Sequence, residues 1–128
     1  MSVMYLDTNI LIYLLEQHND YSERVADVLE EIAHNNGQLV TSVITVTEFL
    51  AGTESSSLVT LQKVPRLQFA HLSEGLAEKA ACLQNKESLQ IGDAIHLATA
   101  LEQGADTFFT NDKQLAKIAK NYMKIEQL

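Results

Sequence analysis

Residues 91–112 read IGDAIHLATALEQGADTFFTND, and the periodicity changes partway along. Ile91, Ala94, Ile95, Leu97, Ala98 and Leu101 recur at three- and four-residue spacing, which predicts a helix with one apolar stripe, and Gly104 supplies its stop. DTFFTND is short, aromatic and β-branched, as suits a strand with its exit loop. KQLAKIAK at 113–120 then returns to helical spacing. Helix, strand and helix in quick succession predict an α/β unit. Two acids frame its strand: Asp93 near the start of the first helix, and Asp112 just past the strand's end.

The same alternation extends in both directions. VMYLD (3–7) reads as a first strand, NILIYLLEQ (9–17) as a helix, and YSERVADVLEEIAHNNG (21–37) as a second helix closed by Asn36-Gly37. QLVTS (38–42) is strand two. VITVTEFLAG (43–52) and SSLVTLQKV (56–64) read as short helices around a break at 52–57. LQFAHLS (67–73) follows Pro65 as strand three, EGLAEKAACLQN (74–85) is a helix, and YMKIEQ (122–127) reads as an edge strand. Strands joined by helical crossovers imply a parallel sheet covered on both faces. The expectation is a single-domain α/β/α sandwich over residues 1–128, its central parallel sheet holding about four to five strands. No linker, low-complexity tract or repeat divides the chain.

With 128 residues, one hydrophobic core is expected. The 46% hydrophobic content fits a packed globule, and no apolar run approaches the roughly 20 residues of a membrane helix. The N-terminus lacks a basic region followed by an apolar one, so a soluble, cytoplasmic protein without membrane contact is expected. The lone cysteine, Cys82, lies on a helical pattern and reads as a small buried core residue. Acids outnumber bases 17 to 9, giving a net charge of −8. Such a balance is unusual for a protein that handles phosphate backbones. It leaves three readings: a partner other than nucleic acid, acids concentrated where a cation offsets them, or a basic partner covering the surface.

Position favours a concentrated set. In open parallel sheets, ligands bind beyond the carboxyl ends of the strands. Asp7, Glu48, Asp93 and Asp112 all fall on that rim of the expected sheet, at strand ends or in the first turns of following helices. Each has a plainer role available. Asp7 and Asp112 suit helix caps, and Glu48 stands three residues after Thr45, the capping-box spacing, with Ser42 an equally good helix start. Asp93 is set among apolar residues, where an acid is rarely buried without a partner. Together the four would repel by roughly 4 kcal/mol for each pair near 4 Å at an effective dielectric of about 20. Raised pKa values or a bound cation must relieve that. All-oxygen ligation selects Mg²⁺ or Mn²⁺ over zinc, which favours Cys or clustered His. His18, His34, His71 and His96 show no ligand spacing. His96 stands three residues after Asp93 on roughly the same helix face, either as a packing and hydrogen-bonding residue or as a contributor at the rim.

YLDTNILIYLLE (5–16), SVITVTEFLAG (42–52) and IGDAIHLATALEQGADTFFTND (91–112), in this order, resemble the PIN-domain family, and most closely its VapC-type toxins. The resemblance spans nearly the whole chain and implies a metal-dependent endoribonuclease. Its four acids map onto Asp7, Glu48, Asp93 and Asp112. The hydroxyl and amide beside the first acid map onto Thr8 and Asn9, and those beside the last onto Thr110 and Asn111. The resemblance also implies a homodimer and a VapB-like antitoxin that places an Arg or Lys near the acids. Such an antitoxin would be met by the apolar face of NILIYLL and the short helices around Glu48.

A bound metal would activate water for in-line attack on a phosphodiester and offset charge on the phosphate. No nucleophilic side chain is then required, and the chain has neither a G-x-S-x-G elbow nor a P-loop. Asp7, Asp93 and Asp112 would hold the metal directly or through water. Glu48 would complete a second metal position or orient the water, and Thr110 or Asn9 would steady a carboxylate or a metal-bound water. Lys113, Lys117, Lys120 and Lys124 form a strip that could meet RNA phosphates or simply face solvent, and Lys113 and Lys117 stand nearest the acids. A phospho-receiver domain would need a second acid after strand one, which LDTN lacks. A non-catalytic PIN-like binding module and a solitary RNA-processing nuclease stay open.

Overall fold

Every strand is followed by a segment too long for a hairpin, so the sheet is built entirely from crossovers. The computed structural model describes residues 2–16, 20–53 and 58–128. Within them the order is β1 (Val3–Leu6), α1 (Thr8–Leu15), α2 (Ser22–His34), β2 (Gln38–Ser42), α3 (Ile44–Gly52), α4 (Leu58–Gln62), β3 (Leu67–Ala70), α5 (Glu74–Glu87), α6 (Ile91–Glu102), β4 (Thr107–Phe109), α7 (Lys113–Ala119) and β5 (Lys124–Glu126). The expected elements are present, with shorter strands: LQFAHLS contributes four residues and DTFFTND three. His18 and residues 54–57 of the expected break lie outside the described residues.

The five strands run β3-β2-β1-β4-β5, all parallel. From β1 the chain builds outward to β2 and β3, then crosses back to place β4 on the other side of β1. The order therefore reverses between β1 and β4, the switch point beyond whose carboxyl ends open sheets of this kind bind ligands. Leu6 pairs with Phe109 at that end, so Asp7 and Thr110 leave the sheet side by side.

Alternation within each strand feeds two cores. Tyr5, Val40 and Phe108 face α5, α6 and α7 and pack with Leu76, Leu97 and Leu115. Met4, Leu6, Leu39 and Phe109 face the opposite layer and pack with Ile10, Leu11, Val25, Phe49 and Leu61. The result is the expected α/β/α sandwich. At the end of α2, Asn36 takes the left-handed conformation (φ 59°), while Gly37 is needed for space. A Cβ there would stand 2.6 Å from both Ile32 Cγ2 and Ser2 Oγ.

One sequence expectation changes and two open points are decided. Cys82 is exposed. Helix α5 buries Leu76 and Ala80, and two further residues turn Cys82 about 200° from Ala80. No capping box forms at Thr45: Ser42 accepts the Ile44 N–H at 3.1 Å, which leaves Glu48 in the body of α3. Helix α7 ends at Ala119, so Lys124 lies on β5 and leaves the lysine strip. No described helix is long and apolar enough to cross a membrane.

Candidate active site

Asp7 follows β1 directly and is almost fully buried. Its Oδ1 accepts the Thr8 N–H at 2.9 Å, and its Oδ2 accepts the Thr110 hydroxyl at 2.7 Å. Asp112 caps α7, where Oδ1 accepts the N–H groups of Gln114 (3.0 Å) and Leu115 (3.1 Å). Thr110 ties the two acids together, because its hydroxyl oxygen also accepts the Asp112 N–H at 3.0 Å. The capping roles read from the sequence are therefore real, and the capping acids also share a rim with Asp93.

Electrostatics show that proximity. Asp93, on the first turn of α6, has its pKa pushed up to about 6, first by burial and then by the charges of Asp7 and Asp112. Burial likewise raises Asp7, against the lowering effects of His96, Thr110 and Thr8. Glu48 behaves differently: its hydrogen bond from His96 draws its pKa down. Glu48 Oε1 accepts from His96 Nε2 at 2.6 Å and from the Thr8 hydroxyl at 2.7 Å. All four acids thus share one field, and Glu48 is the one that a histidine hydrogen-bonds.

His96 is 1% exposed, and its Nδ1 meets the Tyr5 hydroxyl at 2.6 Å. Burial lowers its pKa, but the Glu48 hydrogen bond and the charges of Asp7, Glu48 and Asp93 raise it overall. The two roles open to His96 in the sequence are combined: it is buried and it reaches the rim. Tyr5 carried no signal of this, since a tyrosine in an apolar strand run reads as core. Thr45 was also missed as a partner; it bonds Thr41 at 2.7 Å and Thr8 at 3.2 Å beneath the site.

The remaining predicted residues divide. Thr8 and Thr110 touch the carboxylates as described. Asn111 turns away from them, its Nδ2 donating to the Tyr13 hydroxyl at 3.2 Å. Asn9 Oδ1 is buried without a hydrogen-bond partner, an acceptor that a water or other donor would satisfy. Lys113, Lys117 and Lys120 line one groove with Asn111, Ile125 and Gln127, of about 380 Å³. Across α7, Asp93 and Asp112 border a polar cleft with Ser88, Gln90 and Gln114, of about 460 Å³.

A hard cation fits this donor chemistry, since Asp7, Asp93 and Asp112 offer only oxygen and their mutual repulsion is what a cation relieves. The acids share a field without forming a coordination sphere. Among the described residues, no group of three or more His, Cys, Asp or Glu is arranged to hold a metal ion.

The sequence profile described as PIN domain matches residues 4–121. The chain belongs to the PIN-domain family. No curated protein matches it. Among solved structures, this PIN domain resembles a toxin–antitoxin complex from Klebsiella pneumoniae at 27% identity, with 90% of this chain and 92% of that chain covered and a TM-score of 0.73. It also resembles VapBC2 from Rickettsia felis, bound to a promoter DNA fragment, at 22% identity, 98% of each chain and a TM-score of 0.76. VapC20 of Mycobacterium tuberculosis, described as a sarcin-ricin loop cleaving toxin, matches at 13% identity, 90% of this chain, 94% of that chain and a TM-score of 0.69. At these last two identities the likeness is one of fold.

Proposed function

We propose that this PIN domain is a metal-dependent endoribonuclease and the toxin of a VapBC-type pair. The observation that carries the reading is the gathering of Asp7, Asp93 and Asp112 beyond β1 and β4, where burial and then the charges of the other two push the Asp93 pKa up to about 6. The likeness to VapC20, described as cleaving the sarcin-ricin loop, and to toxin–antitoxin complexes supports the assignment to RNA and to this class of toxin.

When bound, Mg²⁺ or Mn²⁺ would supply an acidified water and offset charge on the phosphate. Asp7, Asp93 and Asp112 are the residues to hold it. Thr110 links the loops that carry Asp7 and Asp112 through one hydroxyl. Glu48, held by Thr8 and His96, is placed to orient water. Asn9 Oδ1, buried without a partner, offers a further acceptor.

The test is incubation of partner-free protein with mixed cellular RNA in EDTA, Mg²⁺ or Mn²⁺, beside Asp7→Asn. Cleavage is expected only with metal and only in the parent. A second reading, a non-catalytic or regulatory PIN-like binding module, draws on the open arrangement of the acids. It is upheld if folded protein binds Mn²⁺ and leaves every RNA intact.

Lys113 and Lys117 are proposed to contact RNA phosphates, with Lys120 completing the groove. In EDTA, where cleavage is suppressed, a Lys113→Ala/Lys117→Ala double variant is expected to lower the salt slope of single-stranded RNA binding by about 0.7 per lysine. An unchanged slope would place the backbone elsewhere.

A basic antitoxin segment suits the net charge of −8. Its apolar part suits a groove of about 220 Å³ lined by Leu14, Ala26, Leu29, Ala33, Val64 and Pro65. Leu50, Leu58 and Val59, 41–60% exposed on α3 and α4, extend the surface that such a partner would cover. We also propose a homodimer, for which Leu72 and Ile91, 42% and 66% exposed, offer apolar area to cover.

A further inference from the structure

We infer that His96 and Gly92, one turn apart on α6, are positioning residues that set where the Glu48 carboxylate stands. The inference rests on the nuclease reading for its catalytic consequence, but its geometric part stands independently of that reading.

One oxygen of Glu48 is fully engaged. Oε1 receives the Thr8 hydroxyl at 2.7 Å and His96 Nε2 at 2.6 Å, from opposite layers of the sandwich. The other oxygen stands close to position 92: a Cβ on Gly92 would come 3.2 Å from Glu48 Oε2, tight by a few tenths of an ångström. Helix α6 therefore bounds this carboxylate twice, by a donor at one position and by the room left four residues earlier. Glu48 itself remains 39% exposed at the side chain, so the held group still faces the rim.

His96 is in turn fixed from behind. The Tyr5 hydroxyl meets Nδ1 at 2.6 Å, and Tyr5 is fully buried, stacked on Phe108 with ring centroids 5.1 Å apart. With a carboxylate at Nε2, that nitrogen carries the N–H, and in the neutral ring Nδ1 accepts from the tyrosine O–H; this tautomer follows from the network. A histidine serving only to pack would be satisfied by Tyr5 and by its apolar neighbours. Its second bond goes to a partly exposed acid that water could solvate unaided. That bond adds placement, since a free glutamate side chain spreads over many rotamers.

Gly92→Ala gives the cleanest test. Alanine is the better helix residue, so the variant is expected to melt no lower than the parent. Its methyl shifts the Glu48 carboxylate by a few tenths of an ångström, and kcat for RNA cleavage is expected to fall about 10-fold with KM within about twofold. Tyr5→Phe/His96→Leu removes the donor without stranding the tyrosine hydroxyl and is expected to lose a similar factor. His96→Gln, whose amide nitrogen can replace Nε2, is expected to recover most of it. In metal-free protein, the imidazole ¹⁵N–¹H spectrum is expected to show a downfield Nε2–H signal for His96 that moves upfield in Glu48→Gln.

Full turnover in Gly92→Ala and in Tyr5→Phe/His96→Leu would overturn the inference, as would His96→Gln behaving no better than the leucine variant. If the parent cuts no RNA, the nuclease reading falls and the spectrum decides. A His96 signal that ignores Glu48→Gln overturns the positioning role, and one that follows it upholds the geometry.

Discussion

Asp93→Asn is expected to leave RNA intact and to melt at a higher temperature than the parent in metal-free buffer. Burial, followed by the charges of Asp7 and Asp112, pushes the Asp93 pKa up to about 6. The folded state therefore holds this proton more tightly than the unfolded chain, whose value lies near 4. As pH rises from about 4 through about 6, the folded protein binds more protons than the unfolded one and loses stability; above that window the loss is complete. A two-unit shift corresponds to nearly 3 kcal/mol. Asp93 is about half-buried, so solvent screening reduces this to about 1 kcal/mol.

Asparagine removes the charge and with it the loss. Melting scans in EDTA at pH 4.5 and 7.5 are expected to show a flatter pH dependence for the variant and a gain of a few degrees at the higher pH. Cleavage is expected to fall by at least about 10²-fold, because a charged oxygen donor is gone. A variant that cuts RNA like the parent would remove Asp93 from the site. Gained stability with lost activity is the pattern expected where like charges are held together for function.

Asp112 separates differently. Both Asp112→Asn and Asp112→Ala are expected to lose at least about 10²-fold in cleavage, but only the alanine variant is expected to lose stability, by about 1 kcal/mol. The reason is the cap: one oxygen accepts two N–H groups at the start of α7, and asparagine retains an oxygen that can do the same. Denaturant titration beside the cleavage assay checks both halves. Activity retained in Asp112→Asn would make Asp112 a cap alone.

The nearest-neighbour pattern of the chain carried most of the architecture. Apolar residues at intervals of two, or of three and four, mark strands and helices, and strict alternation of the two implies a parallel sheet with its working rim at the strand ends. That logic puts Asp7, Glu48, Asp93 and Asp112 on one edge. It misjudged Cys82, since helical spacing around a residue leaves open which side of the helix is covered, and Leu76 and Ala80 decide that for α5. Whether the lysine strip reached Lys124 depended on where α7 ends, and Lys124 stands on the edge strand.

By itself, then, the sequence determined the order of elements, the layered class and the edge on which the acids gather, because those follow from local periodicity. Only the tertiary structure decided that Glu48 is clamped, that His96 clamps it, and that Tyr5 stands behind both. Tyr5 and His96 are 91 positions apart, and His96 and Glu48 are 48 apart. A hydrogen bond between residues so distant leaves no periodic trace along the chain; it exists because β1, α3 and α6 are all packed against β2.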